Sequence, residues 1–225
     1  SGGKFSGTEV VFVVAGGNDI LALLGQLEAE ATAAGTAAGN AEGARVGGMT
    51  FVSTLAQLLG SGATDPATAI PAIGAAMGAE SQRSGSTSAT IVGVGVATAA
   101  VQPGNAAVAS QTVYGPMVVK AQAEATAAGA AAGAAAGAKA GADYAAAHGP
   151  ALVAEMGKAG AELAALVKGQ IVGKGANYVV VGNLPDFGGT PAGKAADAGT
   201  QALIAAMVAT FNGQLSGGLA GESKA

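Results

Sequence analysis

The stretch Glu9-Val10-Val11-Phe12-Val13-Val14-Ala15-Gly16-Gly17-Asn18-Asp19-Ile20 decides the architecture expected of this 225-residue chain. An unbroken β-branched and aromatic run closed by a glycine pair reads as a strand buried on both faces, as in parallel sheets. Asn18 and Asp19 are turn residues, and Asp19 or a neighbour is expected to cap a helix opening at Ile20. Leu21, Leu23, Leu24 and Leu27 carry helical spacing onward to about Ala34.

A second run of the same type is Asn177-Tyr178-Val179-Val180-Val181-Gly182-Asn183. It follows a helical pattern with Leu152, Val153, Met156, Leu163, Leu166 and Val167 on one face. Pro185 and Gly188-Gly189 turn the chain, and residues 195–211 repeat the helical pattern with Leu203, Ile204, Met207, Val208 and Phe211 inward. Strand–helix alternation predicts the α/β class. The expected architecture is a three-layer α/β/α domain whose parallel sheet contains residues 8–15 and 176–182.

The middle of the chain is less regular. Residues 87–100 and 108–119 are rich in Val, Ile and Thr and flank Gln102-Pro103-Gly104-Asn105, which suggests a β-hairpin, with helix as the alternative. Gly129, Gly133, Gly137 and Gly141 recur every fourth residue within the Ala-rich segment 121–147. That spacing lines one helix face with glycine and lets another backbone approach closely. Each Gly costs a helix ~1 kcal/mol relative to Ala, so close packing must offset it. The sextet Glu30-Ala31-Thr32-Ala33-Ala34-Gly35 recurs at Glu124-Ala125-Thr126-Ala127-Ala128-Gly129 and reads as compositional drift. His148, before Gly149-Pro150, reads as the end of the Ala-rich helix, favoured by the helix dipole, rather than as a general base. Residues 1–225 are expected to form one partial domain with an Ala/Gly-rich helical insertion at about 45–120.

Composition limits the functions open to this chain. Charged residues make up 11%, under half the ~25% of ordinary soluble domains. Ten basic residues, scattered along a chain of net charge −4, leave no nucleic-acid footprint. With no Cys and a single His, neither a disulfide framework nor a multi-His metal site can form within the chain. Mean hydropathy is +0.46, yet no run of ~18 residues lacks both glycine and charge, so no transmembrane segment is expected. Ser1-Gly2-Gly3-Lys4-Phe5-Ser6-Gly7 lacks the apolar core of a signal peptide, so the protein is expected to be cytosolic or to have lost a leader. Gly188-Gly189-Thr190-Pro191-Ala192-Gly193-Lys194 has phosphate-loop spacing, but Ala195 stands where a magnesium-binding hydroxyl belongs and Pro191 lacks an N–H. No cofactor is expected.

Gly16-Gly17-Asn18-Asp19 resembles the Gly-x-Asn-Asp block of the SGNH, or GDSL-type, esterases and lipases. Tyr178-Val179-Val180-Val181-Gly182-Asn183-Leu184-Pro185-Asp186-Phe187-Gly188-Gly189-Thr190-Pro191 resembles a later strand and loop of that family. The likeness covers roughly residues 4–35 and 145–215. It implies an α/β/α fold and hydrolysis of acyl esters through a serine nucleophile. Asn18 would donate to the oxyanion, with Gly16 and Gly17 shaping the turn. The family's Gly-Asp-Ser block and its Asp-x-x-His block are not in these 225 residues. The resemblance therefore implies a fragment that is inactive alone, ends that are not those of the coding sequence, and association with the missing parts of the domain. It also implies a secreted or cell-surface location. A non-catalytic, self-assembling protein built from Ala/Gly-rich helices, forming homo-oligomers, is the alternative.

Overall fold

The computed structural model describes residues 3–222. The chain forms two compact units: one comprises residues up to Ala33 and from Gly141 onward, the other Ala34–Ala140. Helix α1 (Gly17–Gly60) and helix α4 (Gln111–Leu166) each contribute to both.

In the first unit, strand β1 (Val10–Val13) pairs in parallel with β2 (Tyr178–Val181), Val10 opposite Tyr178 and Val13 opposite Val181. The sheet of the described residues has these two strands and no more, which overturns the expected three-layer α/β/α domain. The physical difference lies in what covers the strands. Val10, Phe12, Tyr178 and Val180 share one face and stand exposed, Phe12 by 73%, so no second helical layer lies over them. The helices bury their apolar faces on one another instead: Ile20, Met156, Met207, Phe211 and Leu215 form the core with Leu184. Helix α6 (Ala198–Leu219), opened by Asp197 at its N-cap, approaches α4 so closely that a Cβ on Gly160 would collide with the Phe211 carbonyl oxygen. By length and composition α6 is also apolar enough to cross a membrane, but Ile204, Met207, Phe211 and Leu215 are buried.

In the second unit the Ala-rich halves of α1 and α4 run antiparallel. A Cβ on Gly39 would stand 2.8 Å from the Gly133 carbonyl oxygen, and one on Gly43 3.0 Å from that of Gly129. Gly137 likewise meets Gly35 at 2.9 Å. The repeated sextet thus lies in two helices that face each other. Gly39 faces Gly133, its own counterpart in the repeat, while Gly43 and Gly35 face each other's counterparts, so a local two-fold relates the two strands of the seam.

The expected β-hairpin is absent. Helix α2 (Pro66–Ser81) is followed by α3 (Ser88–Ala100), then a short 3-10 turn at Ala106–Ala109 and α4. The β-branched residues of α3 are accommodated because Thr87 and Thr90 form a reciprocal capping box and because Ile91, Val92 and Val96 meet the Leu55, Leu59, Ile73 and Met77 core. Pro103-Gly104-Asn105 is a helix-to-helix connection. Buried Asn105 donates from Nδ2 to the Leu59 and Ala99 carbonyls at 2.8 and 2.9 Å, satisfying the ends of α1 and α3. Gly104 takes φ +80°, which suits glycine.

His148 does not end a helix, since α4 continues past it to Leu166. Pro150 deprives only the Ala146 carbonyl of its partner, and Ala146 and Pro150 are both exposed, so water replaces that bond. Helix α1 opens at Gly17 instead of Ile20, placing Asp19 within its first turn.

Candidate functional site

Because β1 and β2 are parallel, the segments leaving them emerge at one edge of the sheet, where open α/β sheets bind ligands. Beyond β2 the pairing extends by one bond, from the Gly182 N–H to the Val13 carbonyl at 2.9 Å. Beyond β1 the chain turns through buried Gly16 at φ +101°, whose added Cβ would lie 2.7 Å from the Phe211 ring. Two constraints therefore require glycine there, the left-handed backbone and the aromatic floor. The Gly16 carbonyl accepts the first helical bond of α1, from the Ile20 N–H at 3.3 Å. Ile20 is fully buried, which pins the turn to the core.

This turn puts Asn18 in the first turn of α1, exposed, with no hydrogen bond from its amide to any described residue. Its N–H donors are free for a ligand. Asp19 follows, exposed, where the helix dipole favours a carboxylate.

The loop after β2 meets the same turn. A Cβ on Gly17 would lie 3.3 Å from Phe187 Cζ. Asn212 of α6 holds this loop: its Oδ1 accepts from the Leu184 N–H at 2.8 Å and its Nδ2 donates to the Leu184 carbonyl at 3.1 Å. Leu184 itself is 5% exposed. The loop then closes on Thr190, whose hydroxyl donates to the Phe187 carbonyl at 2.6 Å and accepts from the Gly193 N–H at 3.0 Å, starting the five-residue helix α5 (Pro191–Ala195). The phosphate-loop spacing of Gly188–Lys194 is spent on this 3-10 turn and cap.

No protein-family model, curated protein or solved structure matches the chain. The site is therefore argued on geometry alone. Gly16, Gly17 and Asn18 meet the Leu184–Thr190 loop at one edge, as two strands of parallel direction require. Asn212, which grips that loop, is a residue that sequence reasoning passed over. The one available signal was an amide next to Phe211 in an otherwise apolar helix, and its partner is a backbone peptide that no side-chain pattern reveals.

His148 belongs to a separate cluster. Its ring stacks on Tyr144 with centroids 3.8 Å apart, and its Nδ1 donates to the Tyr144 carbonyl at 2.8 Å. That bond leaves Nε2 as the acceptor of the neutral ring. The Tyr144 hydroxyl donates to Glu30 at 2.7 Å, which raises the phenol's pKa. Hydrogen bonds from Gln26 and then from Tyr144 lower that of Glu30. No hydrogen bond joins His148 to a serine, Asn18 or Asp186 among the described residues. Nor do three His, Cys, Asp or Glu gather into a metal site among them.

Proposed function

We propose that this chain carries the oxyanion-binding edge of an SGNH-type ester hydrolase, acting on acyl esters through an acyl-serine intermediate, with the nucleophile supplied from outside these 225 residues. The observation that carries the reading is the convergence of the two family-like blocks. The Gly16-Gly17-Asn18 turn and the Leu184–Thr190 loop lie on adjacent parallel strands and touch through Gly17 and Phe187. Asn18 then donates its amide N–H to the oxygen that gains charge when serine attacks the ester carbonyl. Such a donor contributes roughly 3 kcal/mol only in the transition state, so it acts on kcat. Gly16 lets the chain turn directly above Phe211, and Asn212 positions the facing loop.

The test is p-nitrophenyl butyrate hydrolysis by the protein translated from the whole reading frame around these residues. Asn18→Ala is expected to lower kcat about 10²- to 10³-fold with little change in KM. The 225 residues alone are expected to be inactive. An unaffected kcat, a frame without a Gly-Asp-Ser block, or full turnover by the 225 residues alone would overturn the proposal.

The exposed face made by Val10, Phe12, Tyr178 and Val180 supports a second reading, a non-catalytic assembling protein. Parallel strands are ordinarily covered on both faces. Sedimentation of the purified chain separates the two, since a monomer at micromolar concentration counts against assembly.

A further inference from the structure

The Ala34–Ala140 unit carries an open groove of about 1030 Å³ between α1, α2, α3 and α4. That is at the upper end of the roughly 300–1,000 Å³ of small-molecule sites. Phe51, Val52 and Ile91 supply apolar lining, while glycines such as Gly48 and Gly78 keep the walls bare. Arg45 is the sole charged residue among the described residues that line it.

The state of Arg45 defines the ligand. Its Nε and Nη2 are held by the Glu42 carboxylate at 2.7 and 2.5 Å. Its Nη1 donates to Met49 Sδ at 3.1 Å, and a thioether is a weak acceptor. Met49 lines the groove and is exposed. The guanidinium thus offers the groove a donor that a better acceptor would capture. Glu42 has already neutralised the cation, and a second carboxylate would be repelled by the first. An uncharged carbonyl accepts the same N–H without that repulsion.

We infer that this groove binds a neutral acyl lipid, a long-chain ester, with its hydrocarbon over Phe51, Val52 and Ile91 and its carbonyl oxygen on Arg45 Nη1. The inference stands on the groove and does not rest on the esterase reading. Binding without turnover satisfies it.

The test is fluorescence titration of the full chain with methyl cis-parinarate and with cis-parinaric acid, at pH 7.5 and low salt. The ester is expected to saturate at one equivalent and to bind roughly five-fold or more tightly than the acid, the scale of one hydrogen bond kept or lost. Glu42→Gln is expected to close that gap by strengthening the acid, a change that a merely structural Glu42 would not produce. Gly78→Leu fills the groove at a position where a Cβ meets no neighbour, so it is expected to abolish binding with the helical circular dichroism intact. Gly93→Leu, equally unobstructed but outside the lining, is expected to leave binding unchanged. No saturable binding, binding undiminished in a folded Gly78→Leu protein, or tighter binding of the acid by the unmodified protein would overturn the inference.

Discussion

Gly39→Ala and Gly48→Ala place the same methyl group on the same helix of the same unit, and the seam predicts opposite outcomes. A Cβ at Gly48 meets nothing within 4 Å, so alanine there gains its helix propensity, stabilising by ~1 kcal/mol. A Cβ at Gly39 stands 2.8 Å from the Gly133 carbonyl oxygen and 3.5 Å from Gly137 Cα. Both are backbone atoms of a helix, so relief requires the two helices to separate by about half an ångström along several turns. Overpacking of this kind costs ~1–3 kcal/mol, against the same ~1 kcal/mol gain in propensity. Gly39→Ala is therefore expected to destabilise by about 1 kcal/mol, leaving the two variants about 2 kcal/mol apart. Gly39→Ala with Gly133→Ala is expected to cost less than the sum, because one separation relieves both methyl groups. Urea unfolding followed by far-ultraviolet circular dichroism measures all four proteins. If Gly39→Ala stabilised as much as Gly48→Ala, the close approach of these backbones would be refuted.

Other expectations concern single polar contacts. Asn105→Ala strands two buried carbonyls, on Leu59 and Ala99, and is expected to cost ~2–3 kcal/mol by the same urea assay. Asn212→Leu removes both bonds to the Leu184 peptide and is expected to cost about 2 kcal/mol and to loosen the 184–190 loop, read as faster amide exchange at Leu184. Hydrogen bonds from Thr68 lower the Asp65 carboxyl, and those from Thr200 lower Asp197, so both N-caps are more acidic than in the unfolded chain. The stability they contribute is present above the ordinary carboxylate range and fades as pH falls through the lowered values; carboxyl NMR titration should place both below free aspartate. Glu9, bonded to the Ser6 and Gly7 N–H groups, should titrate lower still, at about 2.

The two strands were legible because a β-branched run ending in Gly-Gly has few other uses, and both were found within a residue or two of each end. Their surroundings were not. Val and Ile in residues 87–100 carry β propensity, yet a threonine capping box and burial against Leu59 and Met77 outweigh it. Pro103-Gly104-Asn105 has the composition of a hairpin turn, and nothing local reveals that the Asn105 amide reaches the Leu59 carbonyl at the end of another helix. Gly149-Pro150 resembles a helix stop, but on an exposed face the lost bond is returned by water. The Gly-every-four pattern of α4 correctly announced close helix contact. The matching row Gly35, Gly39, Gly43 and Gly47 in α1 was equally visible, and only the pairing of the two rows required coordinates. At the candidate site, Gly16, Gly17 and Asn18 were visible from their place at a strand end, whereas Asn212 acts from more than two dozen residues away through a peptide group.

A seam of identical rungs also has a translational degeneracy. Sliding α1 by four residues against α4 would set glycine over glycine again along most of its length, so the rungs hold the helices close without saying where they belong. The address must come from features that do not repeat. In the Ala34–Ala140 unit these are the Phe51–Leu55–Leu59 row, the Asn105 clamp and the bond from Thr54 Oγ1 to Glu124 at 3.0 Å. Weakening them would leave a chain with full helical signal, unchanged compactness and more than one alignment, a ladder whose rungs fit at every step.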